Sequence, residues 1–212
     1  MISPVETPLA PTPCRRGGDV TWLAAGGVVG PAAFVGAWAF GAAHSVRPYS
    51  PVHDAISRLA AVGSDTRPLM TAGFVGFGLG LPAYASALRR AVDGSAWLPA
   101  AATGLATLAV AALPLDRSAA IDTWHGVAAG IGYITLAATP LLAARPLAAQ
   151  GRRGLAVAGV VAGVVSATAL ALTTTSVRHG LFQRVGLTAS DAWIAASALA
   201  ILTGPSLGSR SQ

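Results

Sequence analysis

Long apolar runs separated by short polar segments constrain this chain more than any other feature of its sequence. A helix that crosses a bilayer needs about 20 largely apolar residues. Charged residues delimit five runs of that length: 20–46, 68–88, 94–115, 123–144 and 154–177. A sixth helix over 187–207 would carry Asp191 in its first turns, and a re-entrant segment there is the alternative. The pattern predicts an all-α fold, a polytopic membrane helix bundle with six transmembrane helices.

The composition supports the same class of protein. Charged residues make up 10% of the chain and hydrophobic residues 53%, whereas a soluble domain has about 25% charged residues. The net charge is +6, but the arginines are scattered in ones and twos, which favours topology signals over a nucleic-acid-binding face. A lone cysteine, Cys14, excludes an intramolecular disulfide and a cysteine-based zinc site.

Arginine placement predicts the orientation of the chain. If the N-terminus is cytoplasmic, eight of the 14 basic residues face the cytoplasm, as the positive-inside rule requires. We therefore expect both termini on the cytoplasmic side of a bacterial cell membrane, the bacterial origin being suggested by the Ala, Gly and Arg bias. Residues 1–19 are expected to be a disordered cytoplasmic tail, 20–207 the transmembrane domain, and 208–212 a second cytoplasmic tail.

Polar side chains gather on the predicted outer side. It holds all four histidines: His44, His53, His125 and His179. It also holds Asp54, Ser57, Arg58, Asp116, Asp122, Arg178, Gln183, Arg184 and Asp191. The other side has mostly arginine and small residues, so we predict that any chemical site lies at the outer face.

The first outer loop is predicted to contain a short amphipathic helix. Ser-Pro at 50–51 is a helix start, and Gly63 is a helix stop. Apolar residues recur between them at helical spacing, at Val52, Ile56 and Leu59. Asp54 and Arg58 are four apart, which predicts an ion pair on the helix surface.

Three residues are candidates for catalysis: His53, Asp122 and His125. Asp122 and His125 are three apart at the start of the fourth helix, where a carboxylate can orient a histidine that acts as a base. Interfacial histidines and a helix-capping role for Asp122 are the alternatives. Candidates for ligand binding are His44, Asp54, Ser57, Arg58, Asp116, Arg178, His179, Arg184 and Asp191. No metal-binding spacing is present, so no metal is predicted, although zinc held by histidines stays chemically open; the cofactor is unknown.

Several motifs resemble a known family. YSPVHDAISRLAAVG follows the first span, PLDR and WHG precede and open the fourth, and GLFQRV precedes the last. These segments resemble a bacterial six-helix membrane family catalogued as domain of unknown function number 998, over about 22–204. The family often has Ser, an acidic residue and Leu where this chain has Ser57, Arg58 and Leu59, so no acidic role carries over to position 58. The resemblance implies a fold and a membrane location, and no agreed activity.

Three classes of function follow from these features. The first is a membrane protein with an outward-facing His/Asp/Arg site for a lipid or amphipathic ligand, including a membrane-embedded hydrolase or cyclase. The second is a small transporter component, and the third is a structural or accessory protein without chemistry. The expected partners are membrane lipid and a lipid-like small molecule, with no nucleic acid; the sequence does not determine the oligomeric state.

Overall fold

The computed structural model describes residues 21–204, and this part of the chain contains helices and no strand. A 3₁₀ turn, Thr21–Ala25, leads into the first of six α-helices. The six are α1 Gly26–His44, α2 Arg67–Ala91, α3 Trp97–Ala112, α4 Ala119–Ala149, α5 Arg153–Leu172 and α6 His179–Thr203. A 3₁₀ helix, Ile56–Ala60, lies between α1 and α2 and is called the loop helix below. The predicted tails, 1–19 and 208–212, lie outside the described residues.

The predicted all-α polytopic bundle is confirmed. Five of the six helices are long and apolar enough to cross a membrane. The exception is α3, whose 16 residues reach about 24 Å, less than the ~30 Å of a bilayer's hydrocarbon core. The third apolar run is therefore shortened at both ends: Leu113 leaves the helical conformation, and Trp97 begins the helix three residues later than predicted.

The sixth helix differs from its predicted position. It is continuous over His179–Thr203 and begins eight residues before the predicted start at 187. Asp191 therefore lies at the middle of the helix and not in its first turns, and the re-entrant alternative is wrong. The polar residues at the start of α6 can be helical because Gln183 and Arg184 hydrogen-bond to the first loop rather than to water.

Consecutive helices pack side by side, and α6 returns to contact α1 and α4. Glycines allow the closest approaches, since a Cβ on Gly80 would lie 2.6 Å from the carbonyl oxygen of Gly26. On the other side of the bundle, a Cβ on Gly163 would lie 3.0 Å from the carbonyl oxygen of Ala137. These small residues hold helices together by close backbone contact within one chain, as expected for membrane helices.

Hydrogen bonds between loops show which segments share an end of the bundle. The amide of Val62 donates to the carbonyl of Leu115 at 2.9 Å, and Nδ1 of His53 lies 2.9 Å from the carbonyl of Val177. The α1–α2, α3–α4 and α5–α6 connections therefore meet at one end, called the loop-helix end below. At the opposite end, Gln150 donates to the carbonyl of Ala91 at 3.1 Å.

Candidate functional site

The first loop folds as a turn followed by the loop helix, and not as one helix over 50–63. The carbonyl of Ser50 accepts from the amides of His53 and Asp54, at 3.1 and 2.7 Å. Asp54 folds back to accept from the amide of Ser50 at 2.7 Å. Ala55 is then extended, with ψ of 146°, which interrupts the helical hydrogen bonding before Ile56.

The predicted ion pair between Asp54 and Arg58 is wrong. Arg58 instead donates to both carboxylate oxygens of Asp116, at 2.8 and 3.0 Å. The break at Ala55 turns Arg58 away from Asp54 and toward the α3–α4 connection. Both paired side chains are about half exposed, 52% and 47%, so the pair contributes little stability, ~0–1 kcal/mol.

Arg184 binds the first loop to α6. Its Nη1 donates to the carbonyls of Pro51 and Asp54, at 2.7 and 3.1 Å, and to that of Gly180 at 2.9 Å. Its Nη2 donates to the phenol oxygen of Tyr49. The guanidinium also stacks over the rings of Trp38 and Tyr49, with centroids 5.2 and 5.6 Å away. Both Nη groups of this buried cation are thus occupied by the loop and its own helix.

Close contact between loop and helix depends on Gly180, because a Cβ there would lie 2.8 Å from the carbonyl oxygen of Pro51. The amide of Leu181 donates to Val52 at 3.0 Å across the same contact. Burial raises the pKa of the Tyr49 phenol above its ordinary value of 10.0, an effect larger than the opposing stabilisation of the phenolate by Arg184. The loop is therefore a fixed wall of the bundle.

A second polar bridge joins the loop helix to α6 and α4. The amide of Ile56 donates to Oε1 of Gln183 at 2.8 Å, and Nε2 of Gln183 donates to the hydroxyl of Tyr133. Neither Gln183 nor Tyr133 was among the predicted site residues. Their one sequence signal is weak: Gln183 is a polar residue one helical turn from His179, and Tyr133 is a phenol inside an apolar run.

Beneath this bridge lies a cavity between the loop helix and helices α1, α2, α3, α4 and α6. Its volume is ≈ 60 Å³, several times the ~10–15 Å³ that one water molecule needs on this measure. The polar residues that line it are Ser57, Thr103, Thr107, His125, Tyr133 and Gln183.

Apolar side chains form most of the wall. Phe34 of α1 packs against Phe74 and Phe77 of α2, with ring centroids 5.7 and 5.3 Å apart. Val110, Leu136 and Leu187 complete the wall from α3, α4 and α6. The cavity is thus polar near the loop helix and mostly apolar further into the bundle, where Thr103 and Thr107 of α3 are its polar residues.

His125 is the one predicted catalytic candidate that lines this cavity. Its Nδ1 lies 2.6 Å from the carbonyl oxygen of Leu113, in the α3–α4 connection. Asp122 does not contact it through a hydrogen bond in the described structure, because Oδ1 of Asp122 accepts from the amide of Asp116 at 2.9 Å. His125 and Asp122 therefore both bind the α3–α4 connection, His125 at the carbonyl of Leu113 and Asp122 at the amide of Asp116.

The helix-capping alternative for Asp122 is wrong, because another residue caps α4. Ser118 is the N-cap residue of α4, and its hydroxyl accepts from the amide of Ile121 at 3.3 Å. Asp122 instead supports Asp116, which has φ of 63°, in the left-handed region that non-glycine residues rarely adopt. The carboxylate of Asp122 accepts a hydrogen bond from the backbone amide of Asp116 in this turn.

The other histidines lie at the loop-helix end without entering the cavity. His44 stacks on Phe40 with centroids 3.9 Å apart, and its Nδ1 lies 2.9 Å from the carbonyl of the same residue. His53 is exposed and contacts the carbonyl of Val177. His179 begins α6, and the neighbouring Arg178 is exposed. Within residues 21–204, no three His, Cys, Asp or Glu side chains come together as metal ligands would.

Asp191 is set apart from all of these residues. It is 3% exposed, and neither carboxyl oxygen has a hydrogen-bond partner within the described chain. Leu187, one turn closer to the loop helix on the same face of α6, lines the cavity. The carboxyl group thus lies about 6 Å further along the axis of α6 than this part of the cavity wall.

Five apolar helices of membrane-crossing length, packed around a partly polar cavity, define a polytopic helical membrane protein. A family model described as protein of unknown function (DUF998) matches residues 28–200. The chain therefore belongs to this family, and the resemblance found in its sequence motifs is confirmed. Neither a curated protein nor a solved structure matches the chain.

Proposed function

We propose that this protein binds a lipid or another small amphipathic molecule in the cavity beneath the loop helix. One observation carries the proposal: a cavity with room for several water molecules is apolar over most of its wall and is lined by polar groups without a protein partner, such as Nε2 of His125. A site of this composition suits a ligand with an apolar body and one polar group. We further propose that the protein resides in a bacterial cytoplasmic membrane, with both termini in the cytoplasm and the loop helix outside.

The proposed site is lined by different residues from those predicted from the sequence. Of the predicted residues, Ser57 and His125 line the cavity, while the predicted arginines and aspartates do not. Arg58 and Asp116 pair at the surface, and Arg184 binds loop carbonyls. The charged residues thus support the wall of the site, and its lining is neutral except for the ionisable ring of His125. A binding function follows from this lining; no reaction is assigned to it.

Photoaffinity labelling tests the binding proposal. The protein is reconstituted in nanodiscs of phosphatidylethanolamine and phosphatidylglycerol with an alkyl diazirine that has no polar head group, and the labelled residues are located by mass spectrometry. Labels are expected on cavity-lining residues of α2, α3 and α4. Ala106→Leu, which fills the cavity from α3, should reduce these labels at least severalfold.

The control is Ala112→Leu, which adds the same side chain to the exposed end of α3. It should leave cavity labelling unchanged. Labels confined to lipid-facing residues such as Leu105 and Ile134, or equal cavity labelling in Ala106→Leu and Ala112→Leu, would contradict the binding proposal. Thermal unfolding of each variant in the same nanodiscs separates loss of the cavity from loss of the fold.

A transporter component is the second candidate, and Asp191 favours it. Ionisable residues in the interior of a membrane are costly and commonly mark ion or proton pathways. Asp191 is at mid-helix in α6 and has no partner for its carboxyl oxygens within the described chain. The sequence alone placed this residue near a membrane surface, where it would not serve such a pathway.

Proton flux into proteoliposomes tests this second function. Under an imposed pH gradient, the protein should carry protons faster than empty liposomes, and Asp191→Asn should remove the difference. Asp65→Asn, at an exposed aspartate of the first loop, is the matched control. Equal flux with Asp191→Asn and with the unaltered protein would exclude Asp191 from a proton pathway.

A further inference from the structure

The hydrogen-bonding groups left unused in the cavity define the polar group of its ligand. We infer that the ligand is uncharged and carries a hydroxyl group, which donates to Nε2 of His125 and accepts from the hydroxyl of Tyr133. This inference rests on the proposed binding function and adds to it the chemical class of the ligand: a long-chain or cyclic alcohol rather than a phospholipid or a fatty acid.

The contact with Leu113 determines the role of each His125 nitrogen. A carbonyl oxygen can only accept, so Nδ1, 2.6 Å from that of Leu113, must carry the proton and donate. In the neutral imidazole the other nitrogen, Nε2, is then an acceptor. Nε2 is on the opposite side of the ring from Leu113 and has no hydrogen bond within residues 21–204, and His125 lines the cavity. The site therefore offers one strong acceptor.

The role of Tyr133 follows from the same reasoning applied to Gln183. The amide of Ile56 can only donate, so the side-chain atom it meets is the oxygen Oε1 of Gln183. Nε2 of Gln183 therefore faces the hydroxyl of Tyr133 and, as an amide nitrogen, donates to it. Tyr133 accepts this bond, and its own proton has no acceptor in the described structure. The site therefore offers one donor.

The remaining polar side chains divide into used and unused groups. Thr107 donates to the carbonyl of Thr103 at 2.9 Å, and the hydroxyl of Thr103 has two acceptors, the carbonyl of Pro99 at 2.9 Å and the hydroxyl of Thr135 at 2.8 Å. Both hydroxyls thus donate to acceptors within the protein. The hydroxyl of Ser57 has no partner within the described chain, although the residue lines the cavity. This hydroxyl can donate or accept, so it can hydrogen-bond to the ligand in either role.

A hydroxyl group is the ligand group that matches an acceptor and a donor at once, because it donates one bond and accepts others. A carboxylate or a phosphate can only accept, which would leave Nε2 of His125 facing a negative charge. Among residues 21–204, no arginine lines the cavity to neutralise such a charge. A hydrocarbon or an ether would leave Nε2 without a donor. A site rejects such analogues mainly because they leave its buried polar groups without partners.

The arrangement along α4 orients the ligand. His125 is near the start of α4, and Leu136 lies eleven residues further into the bundle, about 16 Å along the helix axis. Phe74, Phe77 and Leu187 border the cavity between these levels. The hydroxyl group of the ligand therefore points to the loop helix, and its apolar body extends toward the middle of the bundle.

Competition against the head-group-free diazirine probe tests the inference. The competitors are 1-decanol, 1-methoxydecane and decanoate, which share a chain and differ in the polar group. Decanol should displace the probe from the cavity at a concentration about tenfold lower than either of the others, as expected when one buried polar group goes unpaired. Equal displacement by decanol and methoxydecane would overturn the inference while leaving the binding function intact. Failure of the probe itself to label the cavity would refute the binding function instead.

Substitution of His125 shows whether its Nε2 is the acceptor. In His125→Asn the side-chain amide can still donate to Leu113 but has no group where Nε2 was, so the preference for decanol should fall to about that of methoxydecane. His125→Gln places an amide oxygen near that position and should keep part of the preference. Thr123→Val is the control, because it alters an exposed hydroxyl of the same helix that donates to the carbonyl of Ala119 at 2.9 Å and does not line the cavity, and it should keep the full preference.

Ser57→Ala and Tyr133→Phe give a second measurement that does not alter His125. Tyr133→Phe removes the donor and should weaken decanol and methoxydecane alike, severalfold, because the oxygen of each accepts from it. Ser57→Ala should weaken decanol by a smaller factor. An unchanged decanol preference in His125→Asn, or an unchanged affinity for both compounds in Tyr133→Phe, would overturn the assignment of acceptor or donor.

Discussion

Replacing Arg184 by Met removes the cation that binds the first loop to α6 and keeps a long apolar side chain in its place. Two loop carbonyls lose their donor: those of Pro51 and Asp54. A buried acceptor without a partner costs ~1–3 kcal/mol, and because the loop is partly open to water the low end applies, about 1 kcal/mol each. Loss of stacking on Trp38 and of the bond to Tyr49 adds ~0.5–1 kcal/mol. The free energy that holds the loop closed should fall by about 3 kcal/mol.

The assay is thiol accessibility behind the loop. Cys14 is first replaced by Ser, and Ser57→Cys then places a thiol on the cavity side of the loop helix, where residue 57 is 9% exposed. A loss of about 3 kcal/mol raises the open population about a hundredfold, so the maleimide labelling rate should rise by a similar factor. Arg178→Met is the control, since the side chain of Arg178 is exposed and makes no hydrogen bond to another described residue. It should leave the rate unchanged.

The result that would refute this reasoning is a labelling rate that rises less than about threefold in Arg184→Met while Arg178→Met behaves as expected. That outcome would mean that Gln183 and the apolar residues Ile56 and Leu59 hold the loop without the cation. A rise of equal size in both variants would show that charge at this end of the bundle matters, and not the hydrogen bonds of Arg184.

Three further predictions concern other contacts. Tyr84→Phe removes a buried hydrogen bond of 2.6 Å to Ser197, which should lower the free energy of unfolding in detergent by ~1–2 kcal/mol. No change, or losses in Tyr84→Phe and Ser197→Ala that simply add in the double variant, would contradict a bond between the two side chains. Arg58→Ala breaks the half-exposed pair with Asp116 and should cost less than ~1 kcal/mol, an effect that disappears in high salt; a larger or salt-independent loss would show that the pair is effectively buried. The raised pKa of Tyr49 means that the folded state keeps the phenol proton to higher pH than the unfolded state, so its contribution to stability is complete below pH 10.0 and is lost as pH rises through the folded-state pKa. The stability of the unaltered protein should thus fall more steeply above pH 10.0 than that of Tyr49→Phe, and identical pH profiles would contradict the shift.

The interior of a membrane made much of the fold predictable from the sequence. A bilayer sets the length of a helix that crosses it, and charged residues mark where each crossing ends, so the boundaries of α2, α4 and α5 lie within five residues of the predicted ones. The same reasoning placed the polar residues together at one end of the bundle. The motif from Tyr49 to Gly63 identified the family, and the matching family model covers 28–200.

Local spacing was misleading where a polar group had a distant partner. Arg58 is four residues from Asp54, but it pairs with Asp116, because the chain turns at Ala55. The turn itself depends on Arg184, which binds Pro51 from 133 residues away. Helical spacing describes which residues can meet within one helix, and it carries no information about a cation that approaches from another.

Only the tertiary structure decided which polar groups have partners and which do not. Apolar length is a property of a single segment, so the sequence by itself determined an all-helical membrane bundle with its histidines at one end. Hydrogen-bond pairing depends on how segments from the whole chain converge. That convergence gives partners to Gln183 and to both Nη groups of Arg184. Within the described residues it leaves Nε2 of His125, which lines the cavity, without a hydrogen bond, and it leaves the carboxyl of Asp191 without a partner at the middle of α6.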